Sequence, residues 1–362
     1  MAWREFEDAA PGENQVVIVG DERPLRYIRK APVRFCSLRR LSRQISEFQC
    51  KAVIFHSLPR PRYLRHVPSD VTVIWLGWGF DYYGRLLGGD FPQGLLLPET
   101  KALVEQDEKG LVSSLLRVAV NVKRRLYRQH ASDDQELLSR VNYFAPVLDT
   151  EYEMAVRLND WFKPGYLEWN YGTVEDDLGG DQPAPTDVGE NILVGNAADP
   201  LNNHLEVFDL LQRCVDIGDR KIVVPLSYGD DWYRDKVIEH GKRVLGENFM
   251  PIVDFLDADA YRELLQSCGF VFMNHLRQSA MANICMTMLM GAKIYLNPLS
   301  PAYRWLRNAG CTLSSIESLR TVLEPISAEE RLANVQAINN QWGRDAKLAK
   351  TRHVVNVALG VA

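Results

Sequence analysis

At 362 residues, with 46% hydrophobic and 25% charged side chains, the chain has ordinary globular composition and enough length for two α/β domains. A net charge of -5 argues against a nucleic-acid binder driven by bulk positive charge. Six dispersed cysteines, at 36, 50, 214, 268, 285 and 311 with no CxxC pair, argue against a disulfide scaffold or thiolate zinc site and fit reduced thiols in a cytoplasmic protein.

The opening MAWREFEDAAPGENQ is too polar and acidic for a signal peptide, and no apolar run reaches the roughly 18 residues that a spanning helix needs. Short β-branched or aromatic runs then recur at Gln15–Val19, Val33–Leu38, Ala52–Phe55 and Val71–Leu76, as expected for strands buried on both faces of a parallel sheet. Leu41–Gln49 reads as a helix between two of them. Thr100–His130 reads as one long or two joined helices, ending in the basic cluster Lys123, Arg124, Arg125 and Arg128. A strand at Val141–Pro146 and a helix at Thr150–Trp161 follow.

Gly172–Gly189 is rich in Gly, Pro and acidic residues with little to bury, and reads as an exposed linker. Beyond it strands and helices alternate cleanly. Strands are expected at Asn191–Val194, Lys221–Pro225, Pro251–Phe255, Phe270–Met273 and Lys293–Leu296. Helices are expected at Leu205–Val215, Trp232–Leu245, Ala258–Ser267 and Ala280–Met290. This alternation predicts a right-handed, doubly wound parallel sheet. Ser327–Leu359 reads as helical and polar enough to lie on a surface. The predicted division is 1–170, an N-terminal acceptor-binding Rossmann-like domain; 171–189, the linker; 190–325, a nucleotide-sugar-binding Rossmann-like domain; and 326–362, helices that cross back to the N-terminal domain.

Open α/β sheets bind ligands beyond the carboxyl ends of their strands, so the loops there carry the candidate residues. In VGNAADPLNNH, Gly195 permits a tight turn, and Asn196, Asn203 and His204 gather polar groups near a helix start suited to phosphate. Helix capping alone would account for one of these asparagines. In VVPLSYGDDWY, Pro225, Ser227 and Tyr228 fit either a seat for a nucleotide base or a plain turn into an Asp-capped helix. In FMNHLRQSAMAN, Arg277, Gln278 and Ser279 precede an apolar helix, so a guanidinium, side-chain donors and backbone amides converge as a diphosphate site requires.

In the first half, His56 directly follows a predicted strand, and Asp81 lies in LGWGFDYYG between permissive glycines. Either could take a proton from an acceptor hydroxyl, although a lone histidine after a strand more often serves structure. Trp78, Tyr82 and Tyr83 read as a sugar-stacking platform or as packing. The cluster Arg60, Arg62 and Arg65, with Lys123–Arg128, fits either a solvated face or peripheral contact with anionic lipid.

Taken in order, FHSLPRP, VIWLGWGFDYYG, NILVGNAADPLNNH, RKIVVPLSYGDDWY and LRQSAMANICMTMLMGAKIYLN resemble the TDP-N-acetylfucosamine:lipid II N-acetylfucosaminyltransferases of enterobacterial common antigen assembly. The similarity runs from about Ala52 to about Arg307. It implies a GT-B architecture: two Rossmann-like doubly wound domains facing across a cleft, with acceptor on the first and dTDP-sugar on the second. It further implies that no metal or bound cofactor is required, with the diphosphate near Gly195, Asn196, Arg277 and Gln278, the base near Pro225–Tyr228, and His56 and Asp81 toward the acceptor. The expected activity is transfer of a 4-amino-4,6-dideoxyhexose to a lipid-linked or surface-polysaccharide acceptor, at the cytoplasmic face of the inner membrane and without nucleic-acid partners. Two departures stand out: Ser279-Ala280-Met281-Ala282 replaces a glycine-containing helix start, and WGFDYY replaces WGADLY. A nucleotide-sugar epimerase or hydrolase, or a non-catalytic nucleotide-sugar binder, are the alternative functions on the same fold.

Overall fold

The computed structural model describes residues 2–25, 31–88, 93–111, 131–178 and 188–361. The chain divides into two compact units. The first comprises Met1–Gly89, Ser114–Thr173 and Arg344–Ala362; the second comprises Asp90–Ser113 and Val174–Gly343.

Parallel pairing dominates the first unit. Strands β1 (Val16–Val19) and β2 (Val33–Cys36) form one two-stranded sheet. Strands β3 (Ala52–His56), β4 (Thr72–Leu76), β5 (Tyr143–Ala145) and β6 (Gly165–Tyr166) form another, in sequential order. The continuous apolar run of β4 is buried along nearly its whole length, as a strand covered on both faces must be. The helix Ala2–Ala9 packs against the C-terminal helix Arg344–Leu359, and Phe6, Val354 and Val355 join Ile74, Leu76 and Trp169 in one core cluster. The last helix therefore belongs to the first unit's core.

The second unit holds a six-stranded parallel sheet of β7 (Asn191–Val194), β8 (Ile222–Pro225), β9 (Phe249–Ile252), β10 (Cys268–Met273), β11 (Lys293–Leu296) and β12 (Ser314–Ser315). Its spatial order is β12-β11-β10-β7-β8-β9. The order reverses between β7 and β10, which places a topological switch point at the carboxyl ends of these two strands. The two loops that sequence reasoning marked for phosphate leave from those ends. The core beneath is built from Ile192, Val194, Phe208, Val224, Phe270 and Phe272, all buried.

The structure departs from the expected segments in several places: the strand expected at Pro251–Phe255 is Phe249–Ile252, and β6 and β12 are additional strands. The helix Pro98–Leu111 lies in the second unit, where Glu206 accepts from both the amide and the hydroxyl of Thr100 at 2.8 and 2.7 Å. The expected linker begins as a single helical turn, Val174–Asp177, with Val174 and Leu178 buried; residues 179–187 lie outside the described part. The stretch Ser327–Leu359, expected to be helical and to lie on a surface, forms the helices Ala328–Trp342 and Arg344–Leu359 and is partly buried. Ser327 and Glu330 form a capping box at the first, and the pair buries Asn334, Ile338, Trp342, Lys347, Thr351 and Val354. Their polar residues are hydrogen-bonded inward: the Asn334 side chain accepts from the Thr312 amide and donates to the Thr312 carbonyl. The basic cluster Lys123–Arg128 lies outside the described residues.

Candidate functional site

In the first unit, Asp81 is 1% exposed, and its carboxylate is enclosed by three donors. The Leu58 amide and the Trp75 indole N–H reach Oδ2 at 2.8 Å each, and the Trp78 amide reaches Oδ1 at 2.9 Å. A carboxylate holding two backbone amides from different loops is a clamp. It ties the turn after β3 to the turn after β4 and does not face solvent as an acceptor of substrate protons would. Tyr82 and Tyr83 also depart from expectation. Both are buried, Tyr82 donates to Glu151 Oε2 at 2.7 Å, and its ring lies where a Cβ on Gly77 would collide at 2.6 Å. They are core, not a sugar platform. The glycine at 77 is required by this close approach, and Gly79, at φ 92°, turns the chain.

Trp78, unlike these tyrosines, is at the surface. It is 48% exposed and lies tilted against Tyr171 with ring centroids 4.0 Å apart. Beside this pair stands His56, the last residue of β3. Ser57, directly after it, sits at φ 72°, a conformation costly for a residue with a Cβ and common near functional sites. The imidazole is ringed by Phe6 at 5.7 Å, Trp169 at 5.7 Å and Tyr171 at 6.0 Å, and the Tyr171 hydroxyl lies 3.4 Å from Nδ1. By total surface area His56 counts as exposed. The charge of a protonated histidine would sit on the ring, however, so the ring's crowded surroundings decide its titration. Crowding first, and the Lys347 ammonium second, hold its pKa down to about 4, so the imidazole is neutral at physiological pH.

In the second unit, Gly195 directly follows β7 at φ 66° and is packed from behind: a Cβ there would come within 2.5 Å of His204 Nε2 and 2.8 Å of Asn202 Oδ1. Asn202 Oδ1 accepts from the Asn196 amide at 2.9 Å and so shapes the turn. Asn196 donates through Nδ2 to the Tyr228 hydroxyl at 3.2 Å, while its own buried Oδ1 has no hydrogen-bond partner. Tyr228 comes from the next loop, which is zipped to the first: the Ala198 amide donates to the Tyr228 carbonyl at 2.9 Å, and the Asp230 amide donates to the Ala198 carbonyl at 2.8 Å. Pro225 is buried at the end of β8, Ser227 is half-buried, and Tyr228 is 58% exposed.

Asn203 is a brace. It is fully buried in the left-handed conformation at φ 50°, accepts from the Leu97 amide at 2.8 Å and donates to the carbonyls of Leu95, Leu201 and Asn274. Its side chain fastens the β7 and β10 loops and the segment before the helix Pro98–Leu111, leaving nothing for a ligand.

Two histidines behave otherwise. His204 is fully buried; its Nδ1 lies 3.2 Å from the Tyr233 hydroxyl, and Nε2, behind Gly195, has no partner. His275, 2% exposed, has neither ring nitrogen hydrogen-bonded. Burial holds both pKa values down to about 3, with Arg277 and His204 adding to the effect on His275. Each ring is thus neutral, and each keeps a buried nitrogen that no other side chain or backbone group of the described residues bonds.

Arg277 is half-buried and Gln278 is 9% exposed in the same β10 loop. Ala280 occupies the N-cap position of the helix Met281–Met290, one residue after Ser279. Ala280 sits at φ 55° with no side-chain hydrogen bond to the helix end. The first amides of this helix are therefore not capped by the preceding side chain.

Sequence reasoning missed Trp169, Tyr171, Phe6 and Lys347 around His56. A signal existed in the crowded Tyr166–Tyr171 segment, YLEWNY, which no periodicity accounts for. Among the described residues no group of three His, Cys, Asp or Glu side chains stands close enough to hold a metal ion.

Residues 178–335 match the family model described as 4-alpha-L-fucosyltransferase, glycosyl transferase group 56. The chain carries a glycosyltransferase domain. Among curated proteins none matches the sequence. The fold is that of the GT-B glycosyltransferases. A glycosyltransferase from Rickettsia africae superposes with a TM-score of 0.61 at 9% identity, over 99% of this chain and 95% of that one. A UDP-forming α,α-trehalose-phosphate synthase from Burkholderia xenovorans gives 0.55 at 11% identity, over 89% and 77%. HepE from Anabaena, solved with UDP and glucose, gives 0.51 at 12% identity, over 99% and 91%. The matched segment of the glycosyltransferase domain contains the whole six-stranded sheet and both loops at its switch point.

Proposed function

We propose that this glycosyltransferase moves a 4-amino-4,6-dideoxyhexose from a dTDP-sugar to a hydroxyl of a lipid-linked or surface-polysaccharide acceptor, without a metal ion. The observation that carries this reading is the switch point of the second unit. Gly195, the exposed ring of Tyr228, the uncapped start of Met281–Met290, and Arg277 with Gln278 all belong to loops leaving adjacent strand ends. Such a set suits a nucleoside diphosphate: amides and a guanidinium for the phosphates, an aromatic ring for the base. The fucosyltransferase family model over the same residues supports a deoxyhexose donor.

In this reading the bond from the anomeric carbon to the β-phosphate oxygen breaks as the acceptor oxygen bonds to that carbon, and dTDP leaves with the electron pair. Arg277 and the helix amides stabilise the charge that gathers on the leaving diphosphate, the task a divalent cation performs elsewhere. His56 takes the acceptor's proton. Neutral at pH 7 and open at its rim, it is equipped for this, whereas Asp81 has its oxygens engaged. Trp78 and Tyr171 offer apolar ring surface for an acceptor sugar.

The exposed Arg60, Arg62 and Arg65, together with Phe80 at 60% exposure, support peripheral contact with an anionic lipid surface at the cytoplasmic face of the membrane. Among the described residues no helix is long and apolar enough to cross a membrane.

Calorimetry with dTDP, UDP, GDP and CMP in the presence of EDTA tests the reading. The expected order places dTDP tightest with chelator present. Failure of all four to bind would remove the donor assignment, and binding that appears only on adding a divalent cation would remove the metal-free mechanism.

A further inference from the structure

The surroundings of His56 are assembled from three distant parts of the first unit: Phe6 near the N-terminus, Trp169 and Tyr171 after β6, and Lys347 on the C-terminal helix. Lys347 is the unusual member. Lysine is rarely buried, yet this residue is 1% exposed. Its ammonium lies 2.8 Å from Glu5 Oε2 and 4.0 Å from the centroid of the Trp169 ring. Trp169 is also held from the same helix, since its indole N–H donates to the Thr351 hydroxyl at 3.0 Å, and that hydroxyl donates to the Lys347 carbonyl. One turn on, Lys350 pairs with Glu168 at 2.7 Å and donates to Asn170 Oδ1 at 3.2 Å. The C-terminal helix thus grips the 168–170 segment at every residue.

Burying an ammonium is costly unless the charge is used or well paired. If the helix served only to close the core, a methionine or leucine at 347 would fill the space without a charge. The ion pair with Glu5 and the cation–π contact offset the desolvation. The same Trp169 ring that the Lys347 nitrogen contacts also packs edge-on with the imidazole of His56. The aromatic set therefore has a geometric and an electrostatic side, both supplied by one residue.

We propose that Lys347 is a positioning residue for the transfer reaction, fixing the Trp169 wall against His56 and setting its side-chain nitrogen beside the aromatic cluster that surrounds the imidazole. This rests on the reading of His56 as the base. The titratable and charged groups near the imidazole are the Tyr171 hydroxyl at Nδ1, Lys347 with its partner Glu5, the Glu168–Lys350 pair, and Asp81, whose charge acts on Tyr171. Lys347 is the one that acts directly on His56, in the direction that disfavours imidazolium; crowding by the rings is the larger cause, so removing the charge restores part of the difference.

The experiment compares the full-length enzyme with E5Q, E5Q/K347M and E5Q/K347R, because K347M alone would strand the Glu5 carboxylate and could unfold the chain. His56 is followed by NMR titration of its ring proton, with the resonance identified by its loss in H56Q, and the pH–rate profile is recorded for each variant. In E5Q/K347M the imidazole should titrate roughly half a unit to one unit higher than in E5Q. The acid limb of its pH–rate profile, referred to its own plateau, should rise by the same amount. E5Q/K347R, which keeps the charge, should titrate with E5Q. Equal titration of His56 in E5Q and E5Q/K347M overturns the inference. A titration that moves while the acid limb stays put supports the influence of Lys347 on the imidazole and instead refutes His56 as the base, so the two failures are distinct.

Discussion

Two buried clusters, one in each unit, treat their polar groups in opposite ways. In the first, the carboxylate of Asp81 is enclosed by three donors and locks two loops together. In the second, the imidazoles of His204 and His275 are as deeply buried but keep unused nitrogens. A polar group whose bonds are all made within the chain maintains the scaffold, because breaking it costs the full desolvation of each orphaned partner. A buried group left short of partners is a cost that the fold carries, and such costs gather where a ligand completes the set. The comparison teaches that burial alone does not separate scaffold groups from candidate site groups in this molecule; how their bonds are satisfied has to be weighed as well.

The largest expected effect tests the functional side of the contrast. His56→Gln should lower the transfer rate by about 10²–10⁴-fold while leaving donor affinity unchanged, since it removes proton acceptance alone. Arg277→Ala should cost about 10²–10³-fold, from loss of leaving-group stabilisation. Steady-state kinetics beside dTDP titration reads both. A wild-type rate in either variant would dismantle the corresponding role.

The unsatisfied histidines should also be visible in stability. Their folded pKa values, about 3, lie below the ordinary 6.5. Between these limits the unfolded chain binds more protons than the folded one, so stability is fully present above pH 6.5 and drains away as pH falls toward 3. Each unit of difference corresponds to about 1.4 kcal/mol, so the two rings together represent several kcal/mol of acid sensitivity. Urea midpoints measured from pH 7 down to pH 4 should fall steeply in the wild type and less steeply in His204→Phe. Parallel curves would show that His204 is not held neutral by the fold.

Asp81→Asn sharpens the satisfied side. The amide supplies one acceptor oxygen and presents an N–H₂ toward donors that the carboxylate served, so at least one buried donor loses its partner, at about 1–3 kcal/mol. The expected signature is a lowered unfolding midpoint, with the pH–rate profile keeping its acid limb. Should that limb disappear with the fold unchanged, Asp81 and not His56 would be the base.

These contrasts also explain what the amino-acid pattern could and could not disclose. The central strands of the second unit were legible because apolar runs such as Ile222–Pro225 and Cys268–Met273 are buried throughout, whereas β12, two serines long, carries no such run. The loops that carry Gly195, Tyr228 and Arg277 were legible by their place after those strands. Partnering was not. Nothing in WGFDYYG distinguishes an aspartate facing solvent from one receiving the Leu58 amide 23 positions away, nor shows that Tyr82 and Tyr83 turn inward to the core. Lys347 was hidden for the same reason: its helix has a polar composition, and only the approach of Glu5 and Trp169 from remote segments makes burial there tolerable.

The smallest effects concern the start of Met281–Met290, where Ala280 holds φ 55° without capping the helix. A left-handed conformation costs a residue with a Cβ about 1–2 kcal/mol, and glycine is free of that cost but loses more chain entropy on folding. Ala280→Gly should therefore stabilise the protein by roughly 0.5–1 kcal/mol, read as a raised urea midpoint. Ala280→Asp shares the backbone cost but sets a negative charge at the first amides of the helix, where the proposed diphosphate would lie. Charge repulsion there should weaken dTDP several-fold, an effect that added salt should partly relieve. If Ala280→Asp bound dTDP as tightly as the wild type, the helix start would be an ordinary uncapped end, and the diphosphate would have to be held by Arg277 and the Gly195 loop alone.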